Sequence, residues 1–270
     1  MKVRALILAG YGINCEAETR LAFERAGASA TIMHLGDLVE SPAYLRDQHI
    51  LAVPGGFSFG DDVASGKILA NRLRYRLGEP LREFISARKL IIGICNGFQV
   101  LVKMGILPFF SDDFVQETTL THNDSGRFED RWVRVAVEPA SVCVWTRGIR
   151  GMELPVRHGE GKFLVRNQSV LDRLSAAGQI ALRYATADGG FAKGAYPANP
   201  NGSLDDVAGI CDPSGRIFGL MPHPEAFLEG TNHPRWTRDG LQVEGAGLAI
   251  FRNGVAYAAQ HFAPAAVTQR

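Results

Sequence analysis

The chain has 270 residues, a formal net charge of +1, 46% hydrophobic residues and 21% charged residues. These values fit a single globular domain over residues 1–270 with a core large enough to need no disulfide staples. They exclude a charge-rich disordered chain, and no field of one sign is left to draw in nucleic acid or an anionic membrane.

The four cysteines, Cys15, Cys95, Cys143 and Cys211, are far apart in sequence and form no Cys-x-x-Cys pair. A zinc site built on paired cysteines is therefore not expected. The opening apolar run is interrupted by Arg4 and is too short for a signal-peptide core or a membrane span. A reducing cytoplasm is the expected location, where a free thiol can do chemistry.

Val3 to Ala9 reads as a buried strand. Glu16 to Ala26 carries a helical apolar stripe, and Gly27 suits its C-terminal cap. Ser29 to His34 is a second strand, and Ile50 to Val53 a third, stopped by Pro54-Gly55-Gly56. Asp61 or Asp62 could cap a helix running through Ala70 toward Leu77. The arginines from Arg72 to Arg76 suit its solvated face, with a contact to an acidic partner as the lesser alternative. Leu90 to Ile94 is a fourth strand, followed by a helix over Phe98 to Met104. This alternation predicts an α/β fold, a mostly parallel sheet with helices on both faces.

After Pro108 the rhythm changes. Val133, Val135 and Val137 alternate with polar or small residues, as in a half-exposed strand. Val207 to Cys211 and Arg216 to Met221 flank Asp212-Pro213-Ser214-Gly215 and read as a β-hairpin. Asn199 to Gly202 and Glu229 to Gly240 read as loops, and a last helix runs from about Gly247 to His261. Antiparallel additions to the sheet are thus expected in the second half.

The main chemical signal is Gly93-Ile94-Cys95-Asn96-Gly97 directly after a buried strand and before a helix. This is the cysteine form of the strand–nucleophile–helix turn. The glycines let strand and helix approach around a strained central residue. Cys95 would project at the carboxyl edge of the sheet, where open α/β sheets bind ligands. The helix's positive end beside it favours negative charge on sulfur, and the Asn96 N–H is placed to stabilise an oxyanion. A structural cysteine at a tight turn is the competing reading.

A nucleophilic thiol needs a base held by a third group. His223 follows an apolar strand and stands between Pro222 and Pro224, which stiffen its loop. Glu225 is close enough to fix the imidazole tautomer. Of the other histidines, His34 and His49 read as structural and His261 as a helix-end residue. His158 falls in a charged, glycine-rich loop that suits either a plain loop or a contact to substrate or partner. Cys15 is assigned a structural role, having no local base.

Three segments in this order, Pro54 to Phe57, Gly93 to Gln99 and Pro222 to Glu225, together resemble the triad (class I) glutamine amidotransferase family, of flavodoxin-like fold. Finer segments, Gly55 to Asp61, Gly93 to Gln99, His158 to Gly161 and Asn199 to Ser203, resemble one branch of it, the glutaminase subunits of phosphoribosylformylglycinamidine synthase. The resemblance implies a hydrolase of L-glutamine in which Cys95 forms a glutamyl thioester, His223 shuttles protons and Glu225 orients His223. It implies oxyanion donors at Gly56 and Asn96, and Phe57 and Gln99 lining the glutamine pocket. It implies no metal and no organic cofactor in this chain. The ammonia would pass to a large synthetase subunit that binds ATP and magnesium in purine biosynthesis, and a small bridging subunit could join them. The absence of a Gly-x-x-x-x-Gly-Lys-Ser/Thr loop in this chain agrees with that division of labour.

Some features depart from the family pattern. Ala226 stands where arginine is common, the opening Gly10 to Glu16 segment is unusual, and Phe227 to Glu244 looks long. They bear on the partner interface. Three alternatives stay open at this point. One is a glutaminase for a different synthetase, such as one making GMP, CTP or anthranilate. The second is a cysteine hydrolase or sensor of the same fold. The third is a scaffold without activity.

Overall fold

The computed structural model describes residues 2–109, 111 and 113–262. In chain order the elements begin with β1 (Arg4–Ala9), α1 (Glu16–Arg25), β2 (Ser29–His34), α2 (Leu35–Glu40), β3 (Ile50–Val53), α3 (Lys67–Ser86), β4 (Leu90–Ile94) and α4 (Asn96–Met104). They continue with β5 (Thr118–Thr121), β6 (Glu129–Val137), β7 (Gly151–His158), β8 (Lys162–Val165), α5 (Gln168–Ala176) and β9 (Ile180–Ala185). The last are β10 (Val207–Cys211), β11 (Ile217–Leu220), α6 (Trp236–Asp239) and α7 (Leu248–Phe262).

The main sheet has nine strands in the order β2-β1-β3-β4-β11-β10-β9-β6-β7. From β2 to β11 every pairing is parallel. From β11 to β7 every pairing is antiparallel. The α/β expectation and the antiparallel additions both hold, and β11 is the hinge between the two regimes. It pairs in parallel with β4 on one side and hairpins with β10 on the other. β3, β4, β10 and β11 are buried at every residue, which is why they read as unbroken apolar runs. Helix α1 packs on α7, and α3 packs on α4. Phe23 of α1 meets Phe251 of α7 edge-on, with ring centroids 5.0 Å apart. Among the described residues no helix is long and apolar enough to cross a membrane.

Three expectations are corrected. The helix after Asp61 starts six residues later, at Lys67, and runs on through Pro80 to Ser86. Phe59, Gly60 and Asp61 all have φ near +60° (56, 67 and 54), which turns the chain before the helix can begin. Asp61 still serves the helix start, because its carboxylate accepts the Gly66 N–H at 3.1 Å and the Ser65 hydroxyl at 3.0 Å. His158 does not lie in a loop. It ends β7 and is buried. The reading as loop of Glu229 to Gly240 also missed the short helix α6. The long Phe227 to Glu244 segment lies against β6 and β7: Trp132 meets Phe227 and His233 edge-on, and His233 and Arg235 both reach Glu153.

Candidate active site

β4 delivers Cys95 to the point where the sheet ends and α4 begins. Cys95 has φ 51° and ψ −107°, a conformation that a non-glycine residue rarely adopts. Neighbouring backbone holds it there: its N–H donates to Leu220 O at 2.8 Å, and its carbonyl accepts from Gln99 N–H at 3.1 Å. The flanking glycines are required by contact. A Cβ on Gly97 would stand 1.8 Å from Val53 O, and one on Gly93 would stand 2.6 Å from Leu101 Cδ1. The thiol faces Arg157 O at 3.6 Å.

His223 arrives from β11, two strands' width of parallel pairing from β3. Its backbone N–H donates to Pro155 O at 2.8 Å. The Nδ1–H donates to Glu225 Oε1 at 2.6 Å, and both side chains are buried. Nε2 makes no hydrogen bond with any described residue, so it is the open end of the ring. Burial works against a charged imidazole here, but Glu225 and then Cys95 outweigh it and hold the His223 pKa well above its ordinary value. The tautomer and the ring plane are thus fixed by Glu225 while Nε2 is left for proton transfer.

The segment after β3 forms the facing wall. Asn14 N–H donates to Gly55 O at 3.1 Å and Phe57 N–H donates to Gly12 O at 2.8 Å, a pairing that leaves the Gly56 N–H outside it. Gly56 has φ +148°, and a Cβ there would meet Gly12 O at 2.4 Å. Only glycine fits. Gly55 lies between the reacting groups, since its Cβ would stand 2.8 Å from His223 Cε1 and 3.5 Å from Cys95 Cβ. Asn96 occupies the first turn of α4, where backbone N–H groups lack helical partners. Its side chain accepts from Ser58 N–H at 3.2 Å and donates to Asp61 and Gln99 at 3.1 and 2.9 Å, tying the Gly56 wall to the nucleophile's helix.

Gln99 is buried, and its amide donates to Glu160 O at 2.5 Å. It therefore clamps the loop after β7 against α4. Phe57 is 48% exposed and faces Phe128 across 6.2 Å between ring centroids, so it stands at the rim. Cys95 and His223 thus meet across Gly55, Asn96 and Gln99 tie that wall to α4 and the loop after β7, and Phe57 stands at the rim.

Sequence reasoning missed the support under that wall. His158 Nδ1 lies 3.2 Å from Asn123 Oδ1, and its Nε2 lies 3.5 Å from Asn201 Nδ2. Asn201 also donates to Tyr184 Oη at 3.0 Å and to Gly161 O at 2.9 Å. The four side chains come from widely separated segments, so no spacing could have revealed them. Burial first, and the neighbouring charge of His223 second, push His158 down to about 3. The ring stays neutral in the fold while the unfolded chain takes up its proton near 6.5. Its contribution to stability is therefore complete above that pH and is lost as pH falls from about 6.5 toward 3. His223 has the opposite sign: its contribution is complete below the unfolded value and fades as pH rises through the folded one. We expect His158→Gln to cost about 3 kcal/mol less at pH 4.5 than at pH 7.5, read from urea unfolding. An equal cost at both pH values would refute a neutral, buried His158.

Cys15, which has no base near it in sequence, is brought close to one by the fold: its thiol, a ring nitrogen of His223 and a carboxylate oxygen of Glu225 lie within 4.8 Å of one another. Its Sγ is 3.3 Å from the position a Gly55 Cβ would take. Burial pushes the Cys15 thiol up, with His223 pulling the other way.

The profile of the CobB/CobQ-like glutamine amidotransferase domain matches residues 2–258. The chain is 51% identical over 259 residues to the phosphoribosylformylglycinamidine synthase subunit PurQ of Dehalococcoides mccartyi, covering 96% of this chain and 99% of that one. This chain belongs to the CobB/CobQ-like glutamine amidotransferases, in the branch of the phosphoribosylformylglycinamidine synthase glutaminase subunits. The PurQ subunit of Methanococcus maripaludis strain S2 is 42% identical over 265 residues, covering 94% of this chain and 97% of its own length. A solved chain described as the structure of PurLQS from Thermotoga maritima superposes with a TM-score of 0.71 at 28% identity, covering 95% of this chain and 99% of that one.

Proposed function

We propose that this chain hydrolyses L-glutamine to glutamate and ammonia through Cys95, His223 and Glu225, as one amidotransferase domain. The ammonia goes to the synthetase subunit, which converts formylglycinamide ribonucleotide to the amidine with ATP and magnesium in cytoplasmic purine biosynthesis. A small bridging subunit, as the name PurLQS suggests for the Thermotoga assembly, joins the two. The observation that carries the reading is the buried His223–Glu225 hydrogen bond of 2.6 Å, with Nε2 open beside a strained nucleophile turn.

The geometry supports the following sequence. Cys95 sulfur attacks the side-chain amide carbon of glutamine. The oxyanion is met by the Gly56 and Asn96 N–H groups. His223 Nε2 gives a proton to the nitrogen as the C–N bond breaks, and ammonia leaves. Water then attacks the thioester, losing its proton to Nε2, and glutamate is released with the thiolate restored. Phe57 and Gln99 shape the glutamine pocket, Phe57 at the rim and Gln99 through the Glu160 loop. The chemistry needs no metal or organic cofactor in this chain.

Glu225→Gln leaves the nucleophile and weakens only the tautomer control of His223. We expect kcat to fall roughly 10²- to 10⁴-fold, less than for loss of Cys95. A steady-state comparison of the two variants checks the order, and equal losses would deny Glu225 an orienting role.

The mouth carries exposed Phe57 and Phe128, and Phe57 is continuous with the Gly56 wall. A synthetase seated on them would order that wall, so glutamine turnover is expected to be low in the isolated chain. Glutamate release is measured from the chain alone, then with synthetase, ATP and formylglycinamide ribonucleotide. A rise only in the full mixture supports both the chemistry and the pathway. Equal turnover in both would remove the latency, and none in either, with the synthetase active on ammonia, would remove the pathway assignment.

A further inference from the structure

Cys15 has no part in the reaction proposed above, yet it stands at its centre. It closes the Gly10 to Cys15 segment, stands just before α1 with its side chain free of any cap hydrogen bond, and is half-buried. On its outer side lies a pocket of about 400 Å³ lined by Cys15, Arg157, Glu225, Ala226 and Glu229 among others. On its inner side lie His223 and Glu225, with donor atoms clustered within 4.8 Å of one another. Two of the buried atoms there, His223 Nε2 and Glu225 Oε2, have no hydrogen-bond partner among the described residues. Cys95 Cβ lies on the same wall, as the contacts around Gly55 show.

We propose that these groups form an inhibitory site for a thiophilic divalent cation of the zinc class. Cys15 Sγ and His223 Nε2 hold the ion, and Cys95 Sγ completes the set. Ligand atoms around a tetrahedral zinc ion are spaced roughly 3.5 Å apart, given Zn–S and Zn–N bonds of about 2.3 and 2.0 Å. The Cys15 sulfur and the His223 ring nitrogen, within 4.8 Å of one another, therefore have only about 1 Å to close, and Cys95, whose Cβ lines the same wall, supplies the further sulfur. Sulfur and imidazole are the donors this ion prefers, and the nearby carboxylate holds the far side of the ring, as in many histidine–zinc sites. On binding, the thiol protons pass to solvent. The ion takes the nucleophile and the proton carrier together, so it blocks glutamine hydrolysis reversibly. The outer pocket gives it an entry separate from the Phe57 rim.

The test uses binding rather than turnover, so it stands apart from the assigned reaction. Co²⁺ is titrated into the full chain and followed by its thiolate absorption, then displaced by Zn²⁺. The expected result is one ion per chain with a thiolate band, and at least tenfold weaker binding in Cys15→Ser and Cys15→Ala, each checked for folding by circular dichroism. His223→Asn weakens binding similarly. Wild-type affinity in both Cys15 variants would overturn the proposal, as would a thiolate band traced to Cys143 and Cys211, or no binding by the wild-type chain.

Discussion

Cys95→Ala is expected to lower glutamine-dependent amidation by the assembled synthase at least ~10⁴-fold while ammonia-dependent synthesis continues. The size follows from the chemistry. Without sulfur there is no thioester, and the remaining oxyanion donors and His223 act on water alone. Selectivity follows from the fold. Alanine keeps the Cβ at the strained turn, and the structure around it depends on Gly93 and Gly97 rather than on sulfur, which lies 3.6 Å from Arg157 O. The measurement is amidine formation by the complex with glutamine and with ammonium as alternative nitrogen sources. Loss of both would mean that Cys95 is structural.

Gly97→Ala is expected to be a severely damaging single-methyl change. Its Cβ would meet backbone at Val53 O, 1.8 Å away, with Val53 C at 2.7 Å and Pro54 O at 3.2 Å. None of these can move aside as a side chain would. Val53 ends β3 and is paired in register with Gly93 of β4, so relief requires parting α4 from two central strands. We expect a loss of at least about 4 kcal/mol, or an insoluble protein, read from urea unfolding. Gly78→Ala on α3 is the control, since nothing lies within 4 Å of its Cβ. It should stabilise by a few tenths of a kcal/mol up to about 1 kcal/mol. Similar behaviour of the two variants would refute the close approach of α4 to β3.

The parallel half of the fold was legible because β3 and β4 are buried at every residue and because Gly27 and Gly105 follow α1 and α4. The sequence expectation for Ser29–His34 and Ile50–Val53 matches the observed strands residue for residue. β7 and β9 were missed. Pro155 and Glu153 interrupt the apolar pattern of β7, and Arg183 interrupts that of β9. Arg183 is tolerated because it pairs with Glu138 and Asp205. The nucleophile turn could be read since its chemistry lies within five consecutive residues. The His158, Asn123, Asn201 and Tyr184 cluster could not, because only tertiary packing assembles it. The nearness of Cys15 to His223 was hidden for the same reason: the two come from opposite ends of the chain.

The central claim is that Cys95, and not the neighbouring Cys15, forms the covalent bond to glutamine. It is tested most directly by treating the synthase with a glutamine-shaped electrophilic ketone and mapping the modified peptide by mass spectrometry. The predicted result is one adduct on Cys95, prevented by excess glutamine and absent in His223→Asn under the same exposure. An adduct on Cys15, or labelling that glutamine does not prevent, would contradict the assignment.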